Sequence, residues 1–107
     1  MSPRFVKVGR VSDVPQSGRP ETFQVEDRNI AIYRLDDGFY AIDDICTHDG
    51  GPLAEGEVED DVVICPRHGA RFNIRTGAAL SLPAITPVDT YPVRADGDDL
   101  LVGLPEE

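Results

Sequence analysis

Basic side chains are scarce in this sequence: 10 Lys and Arg stand against 20 Asp and Glu, for a formal net charge of −10. A chain so acidic is repelled by nucleic acid and by anionic membrane surfaces, which argues against both as partners. Long apolar runs are missing as well, and none approaches the roughly 20 residues that a membrane-crossing helix needs. Met1 to Arg10 contains no apolar signal core followed by a small-residue cleavage site, so the expected compartment is the cytoplasm. No segment holds the 3.6-residue period through a helix of ordinary length, so helices are not expected to build the core. Gly50-Gly51 has neither a following helix nor the Lys of a phosphate-binding loop. The length, 107 residues, predicts one domain over 1–107 and leaves no room for a dinucleotide-binding domain beside a catalytic one. Cysteine and histidine are rare, with two of each.

What is present is a run of short apolar segments separated by turns. Phe5–Val8, Thr22–Val25, Ile30–Leu35, Phe39–Ile42, Val62–Ile64, Thr90–Arg94 and Leu100–Val102 read as strands. Asp36-Asp37-Gly38 and Asp96-Gly97-Asp98-Asp99 read as hairpin turns, and Ser12 as a cap for a turn at Ser12–Pro15. Ala70, Phe72 and Ile74 alternate with Arg71, Asn73 and Arg75, which predicts a strand with one buried face and one basic, wet face. Glu55 to Asp61 reads as a solvated acidic turn, and Tyr33, Phe39 and Tyr40 as packing residues. The 10 Gly and 9 Pro are spread along the chain and fit the same picture. The expected class is all-β, a small antiparallel sandwich or barrel. Residues 44–83 differ in texture, being richer in Gly, Pro, Cys and His, and read as a loop-built subdomain set into that scaffold.

Both cysteines and both histidines fall inside this subdomain, as Cys46-Thr47-His48 and, after sixteen residues, Cys65-Pro66-Arg67-His68. Thiolate and imidazole are borderline-soft ligands suited to iron or zinc. Glycines beside each pair let the backbone curl round a bound group, and Pro52 and Pro66 stiffen the loops. One tetrahedral ion held by all four residues would suit Cys65-x-x-His68, but Cys46-x-His48 is tight for two ligands on one small ion. Two sulfide-bridged irons are the other arrangement: with two His in place of two Cys on one iron, each loop can give its Cys to one iron and its His to the other. A Cys46–Cys65 disulfide would require an oxidising compartment, and a Cys–His nucleophilic pair would leave the second pair without a role.

Cys46-Thr47-His48-Asp49-Gly50 with Cys65-Pro66-Arg67-His68-Gly69 resembles the two cluster-binding boxes of the Rieske iron–sulfur family. A β-hairpin precedes the first box and Leu82-Pro83-Ala84 follows the second, as a proline-containing loop does in that family. The resemblance runs from Phe5 to about Gly103. It implies a Rieske-type fold, one [2Fe–2S] cluster per chain, Cys46 and Cys65 as ligands of the inner iron, and His48 and His68 as ligands of the outer iron. High-potential members carry a Ser and a Tyr that donate to cluster sulfurs, and a disulfide between the loops. Ala70, Phe72, Gly51 and Arg67 stand at those positions here, which implies a potential at the low end of the Rieske range, near or below about −100 mV.

With both His engaged, no 2-His-1-carboxylate iron site can be assembled, so the chain alone is not expected to be an enzyme. It resembles the small Rieske-type ferredoxins that carry electrons from a flavin-dependent reductase to a ring-hydroxylating oxygenase. The alternative is a stable subunit of a larger redox enzyme, similar to the small subunit of assimilatory nitrite reductase. The acidic composition favours the free, monomeric carrier. Arg67, Arg71 and Arg75 form the one dense basic group; it is either an orienting patch for a partner's carboxylates or merely the wet face of a strand.

Overall fold

The computed structural model describes residues 4–16, 18–45, 51–66, 69–82 and 86–104. Within them ten strands form three antiparallel sheets. The first sheet has the order β1 (Arg4–Arg10), β10 (Asp99–Leu104), β9 (Val93–Asp96). The second has the order β2 (Glu21–Val25), β3 (Arg28–Leu35), β4 (Gly38–Asp43), β8 (Thr90–Tyr91). The third has the order β5 (Glu57–Glu59), β6 (Val62–Ile64), β7 (Arg71–Asn73). The all-β class is confirmed, and the only helical elements among the described residues are 3₁₀ turns at Val11–Asp13 and Leu53–Glu55.

Sequence accounts for most of these elements directly. Asp36-Asp37-Gly38 closes the β3–β4 hairpin, and Gly97, in the left-handed region at φ +61°, closes β9–β10. Pro92 has no N–H to give a ladder, and it stands where the chain passes from the second sheet to the first. The Pro92 carbonyl still accepts from Gly103 N–H at 2.8 Å. β1 runs through Gly9 instead of stopping there, with a register shift between Lys7 and Gly9 against β10. The turn after β1 is braced by Asp13, whose carboxylate accepts from Arg10 N–H at 2.9 Å, and not by Ser12.

β3 divides the interior in two. Its side chains alternate between faces, and both faces are covered. Ile30 and Ile32 join Val14, Val25, Ala41, Tyr91, Leu100, Val102 and Leu104 between the first and second sheets. Ala31 and Tyr33 join Ile42, Leu53, Val63, Cys65, Ala70, Phe72, Ile74 and Val88 on the other side. Burying an aliphatic or aromatic side chain of this kind stabilises by roughly 1.5–3 kcal/mol. The second core fastens the third sheet to the scaffold.

The region expected to be loop-built thus carries a three-stranded sheet of its own. The acidic run is correspondingly ordered: Glu55 ends a 3₁₀ turn, Glu57–Glu59 is β5, and only Asp60 and Asp61 form the turn into β6. The alternation over residues 70–75 is as the sequence predicts, with Ala70, Phe72 and Ile74 fully buried.

Candidate metal centre

Of the four predicted ligands, Cys65 lies among the described residues; Cys46, His48 and His68 lie outside them, as does Arg67. Cys65 directly follows β6. Its thiol is free and its side chain is 1% exposed, packed in the core that holds Leu53, Val63, Ala70 and Phe72. Cys65 N–H donates to the Ala70 carbonyl at 2.7 Å, and Gly69 N–H donates to the Cys65 carbonyl at 3.0 Å. Two backbone bonds therefore tie Cys65 to Gly69 and Ala70, and Gly69 stands at φ +74°, a conformation that favours glycine. The backbone of Cys65 is satisfied by these bonds, which leaves its sulfur as the unused chemical group.

Arg71, the next residue, is backed by the segment leading to Leu82. Leu80 N–H donates to the Arg71 carbonyl at 2.7 Å, and Arg71 N–H donates to Ser81 Oγ at 3.1 Å. Leu82 itself is 77% exposed at the start of the proline-containing segment. Pro83 and Ala84 lie outside the described residues.

The segment after the first box meets the strand before the second through a contact that the sequence alone does not reveal. Gly56 follows the 3₁₀ turn after the first box, and its Cα presses on the Ile64 carbonyl, immediately before Cys65. A Cβ there would overlap that oxygen, so glycine is required for the approach and not for a turn. Leu53, in the same 3₁₀ turn, is fully buried in the core that contains Cys65.

Two polar groups, one half-buried and one fully buried, were also missed. Asp44, two residues before the first box, accepts from Ala54 N–H at 2.7 Å. Burial pushes its carboxyl above the usual range, and the amides of Ala54 and Leu53 oppose that shift. Tyr33 is fully buried, and its hydroxyl is the one buried side-chain polar atom among the described residues without a hydrogen-bond partner. Burial, with a smaller push from Asp44, drives its pKa far up. The alternation in β3 hints at this residue, since Tyr33 falls on the opposite face from Ile30 and Ile32. Ala70 and Phe72 are fully buried, and neither side chain carries a hydroxyl.

The basic patch resolves against free charge at two of its three positions. Arg71 pairs with Glu59 at 3.3 Å. Arg75 contacts Asp37 at 2.6 Å and Asp61 at 3.4 Å, and donates to Tyr40 Oη at 2.9 Å. The Arg75 guanidinium and the Tyr40 hydroxyl together hold the Asp37 carboxyl below its ordinary range. Arg71 and Arg75 thus lock β7 and the following turn to carboxylates of the same chain.

A free, buried thiol in an apolar core, its backbone tied to Gly69 and Ala70, suits a soft iron centre held by thiolate and imidazole. The comparisons agree. The model of the Rieske [2Fe-2S] domain family matches residues 4–92. The chain is 43% identical over 99 residues to the 3-phenylpropionate/cinnamic acid dioxygenase ferredoxin subunit of Escherichia coli (strain K12), covering 90% of each chain. It superposes with a TM-score of 0.87 on the ferredoxin of carbazole 1,9a-dioxygenase from Nocardioides aromaticivorans IC177, at 33% identity and 94% and 98% coverage. It also matches a chain in the complex of reduced oxygenase and oxidized ferredoxin of carbazole 1,9a-dioxygenase, at TM-score 0.85, 35% identity and 96% and 95% coverage. On the family match, the shared fold and the cysteine site together, the chain belongs to the Rieske [2Fe–2S] family, and its cofactor is a [2Fe–2S] cluster.

Proposed function

We propose that this chain is a ferredoxin that carries single electrons from a flavin-dependent reductase to the terminal oxygenase of a ring-hydroxylating system. The observation that carries this reading is the 43% identity to a dioxygenase ferredoxin subunit over 90% of both chains. Cys46, His48, Cys65 and His68 would hold the cluster, the two cysteines on one iron and the two histidines on the other. A bound [2Fe–2S] cluster supplies a one-electron couple.

The chain's own residues supply the rest. The second core keeps water from Cys65. Gly56 sets how closely the first loop's exit approaches the second box. The buried methyl of Ala70 and ring of Phe72 supply no hydroxyl to stabilise added negative charge, which favours a low potential. A low potential suits a donor that is itself reduced by a nicotinamide cofactor. No helix among the described residues is long and apolar enough to cross a membrane. The protein would act as a monomer in the cytoplasm, one domain over 1–107 with the cluster in 44–83.

The test is analytical and kinetic. Anaerobically purified protein should contain two irons and two acid-labile sulfides per chain. Voltammetry should give a midpoint below zero. With a dioxygenase reductase and NADH it should be reduced, and it should support product formation by the partner oxygenase. One zinc per chain, or a midpoint well above zero, overturns the reading.

A further inference from the structure

The 3₁₀ turn Leu53–Glu55 has no cap of its own. Its N-cap position is Pro52, which has no side-chain acceptor, and no side chain at that position bonds the turn. The amides that begin a helical turn need acceptors when they are not in water. Here the acceptor comes from ten residues upstream: Ala54 N–H donates to Asp44 Oδ1 at 2.7 Å. Leu53 N–H interacts with the same carboxylate.

Asp44 is itself fixed at the other end. Its N–H donates to the Asn29 carbonyl at 2.9 Å, and the neighbouring Asp43 N–H donates to the Asp89 carbonyl at 2.9 Å. Asp43 also accepts from Tyr91 Oη at 2.6 Å. One residue thus joins the end of β4 to the turn after the first box, and Leu53 carries that turn into the core beside Cys65. In the sequence, Cys46 and His48 fall between these two fixed points.

We propose that Asp44 is a positioning residue for the cluster: its carboxylate caps the Leu53–Glu55 turn from across the first box and so sets the span over which Cys46 and His48 are held. The inference rests on Cys46 and His48 being ligands. It requires an acceptor at this position, not a charge. Asn supplies that acceptor with almost the same reach and caps helical turns about as well as Asp. Leu has a similar size and supplies none.

The experiment compares wild type, Asp44→Asn and Asp44→Leu as cluster-loaded proteins. The rate of iron release to a chelator and the electron paramagnetic resonance spectrum of the reduced state are measured. Groups that orient ligands from the surrounding shell typically change metal affinity by about 10- to 100-fold when lost. Release from Asp44→Leu should therefore be faster by roughly that factor, with a broadened spectrum. Asp44→Asn should stay within about twofold of wild type, because Asn and Asp cap about equally well.

Asp44→Leu releasing iron at the wild-type rate overturns the proposal. So does Asp44→Asn failing as badly as Asp44→Leu, since the charge would then be the active feature. If Asp44→Leu does not fold, amide hydrogen exchange of Ala54 in wild type and Asp44→Asn decides. Protection in both supports the cap, and exchange at the free-peptide rate in wild type overturns it. Wild type that binds no iron would instead refute the assignment of the ligands.

Discussion

The two halves of the interior are built differently although they share β3 as a wall. Between the first and second sheets the central strands are long, with β3 paired across eight residues and β10 across six, and the filling is mostly Ile, Leu and Val. In the half that carries the boxes every strand has three residues, and the filling includes Tyr33, Cys65 and Phe72. The first half is held by continuous ladders and aliphatic burial. The second is held by two ladders of three residue pairs each, its own core, a carboxylate cap and one glycine contact. The scaffold can therefore be stable without its cofactor, while the box-bearing half depends on it for part of its order.

Removing a proposed ligand should produce the largest effect and tests this division directly. Cys65→Ser, which nearly preserves volume, should abolish the visible spectrum of the cluster. Hydrogen exchange should then show lost protection in β5, β6 and β7, with amides of Ile32 and Val102 still protected. Equal loss in both halves would mean that they unfold as one unit, and the contrast would fail.

A pair of glycine substitutions sharpens it. Gly56→Ala puts a methyl into the Ile64 carbonyl, with the Leu53 carbonyl only 3.2 Å away on another side. Overpacking of this kind costs about 3 kcal/mol, and here it also pushes the Leu53–Gly56 segment away from Ile64, next to Cys65. Gly97→Ala, in the β9–β10 turn at φ +61°, has open space around it and suffers only the left-handed backbone penalty, about 1 kcal/mol. Urea melts should separate the two, and only Gly56→Ala should speed iron release.

Alkaline pH probes the scaffold half. Burial and donation to Asp43, partly offset by Arg28, push Tyr91 up to about 12. An unfolded Tyr ionises near pH 10. Between about pH 10 and about pH 12 the unfolded chain therefore has lost a proton that the folded chain keeps, and stability falls across that window. Tyr33, shifted higher still, acts in the same direction. Urea midpoints should be flat below pH 9 by this mechanism and drop above about pH 10; Tyr91→Phe should lessen the drop.

Most of the strand order was readable because alternation and turn residues are local signals. Val62–Ile64 and the Asp36-Asp37-Gly38 turn needed nothing beyond their neighbours. The four proposed ligands stood out because Cys and His occur nowhere else. What could not be read was pairing at a distance. Arg71 and Arg75 looked like a wet basic face because their partners, Glu59, Asp61 and Asp37, sit in segments that taken alone look like solvated turns. Gly56 carries no turn signature, since its role is a close approach to Ile64, which the chain reaches only in three dimensions. Asp44 likewise carries no local signature, since its partner is the Ala54 amide ten residues further on.

The smallest expected effect concerns Tyr33. Its hydroxyl is buried without a partner in a half otherwise filled by apolar groups and one thiol. An unsatisfied buried hydroxyl forfeits its bonds to water without replacement, a penalty of about 1–3 kcal/mol. The phenol ring earns its place by area alone, and Phe has the same ring. Tyr33→Phe should therefore leave the cluster-free protein as stable as wild type or up to about 1 kcal/mol more stable. The contrast between the halves predicts the opposite for Tyr91→Phe near neutral pH, because that hydroxyl donates to Asp43 at 2.6 Å and accepts from Arg28 at 3.1 Å. Removing it should destabilise by about 1–2 kcal/mol, as loss of a charge-assisted bond does. Urea melts of both variants without the cluster, and again with it, give the comparison. A Tyr33→Phe variant that is less stable only when the cluster is bound would show that this hydroxyl finds its acceptor in the loaded protein, and the box-bearing half would then hold a polar contact that depends on the cofactor.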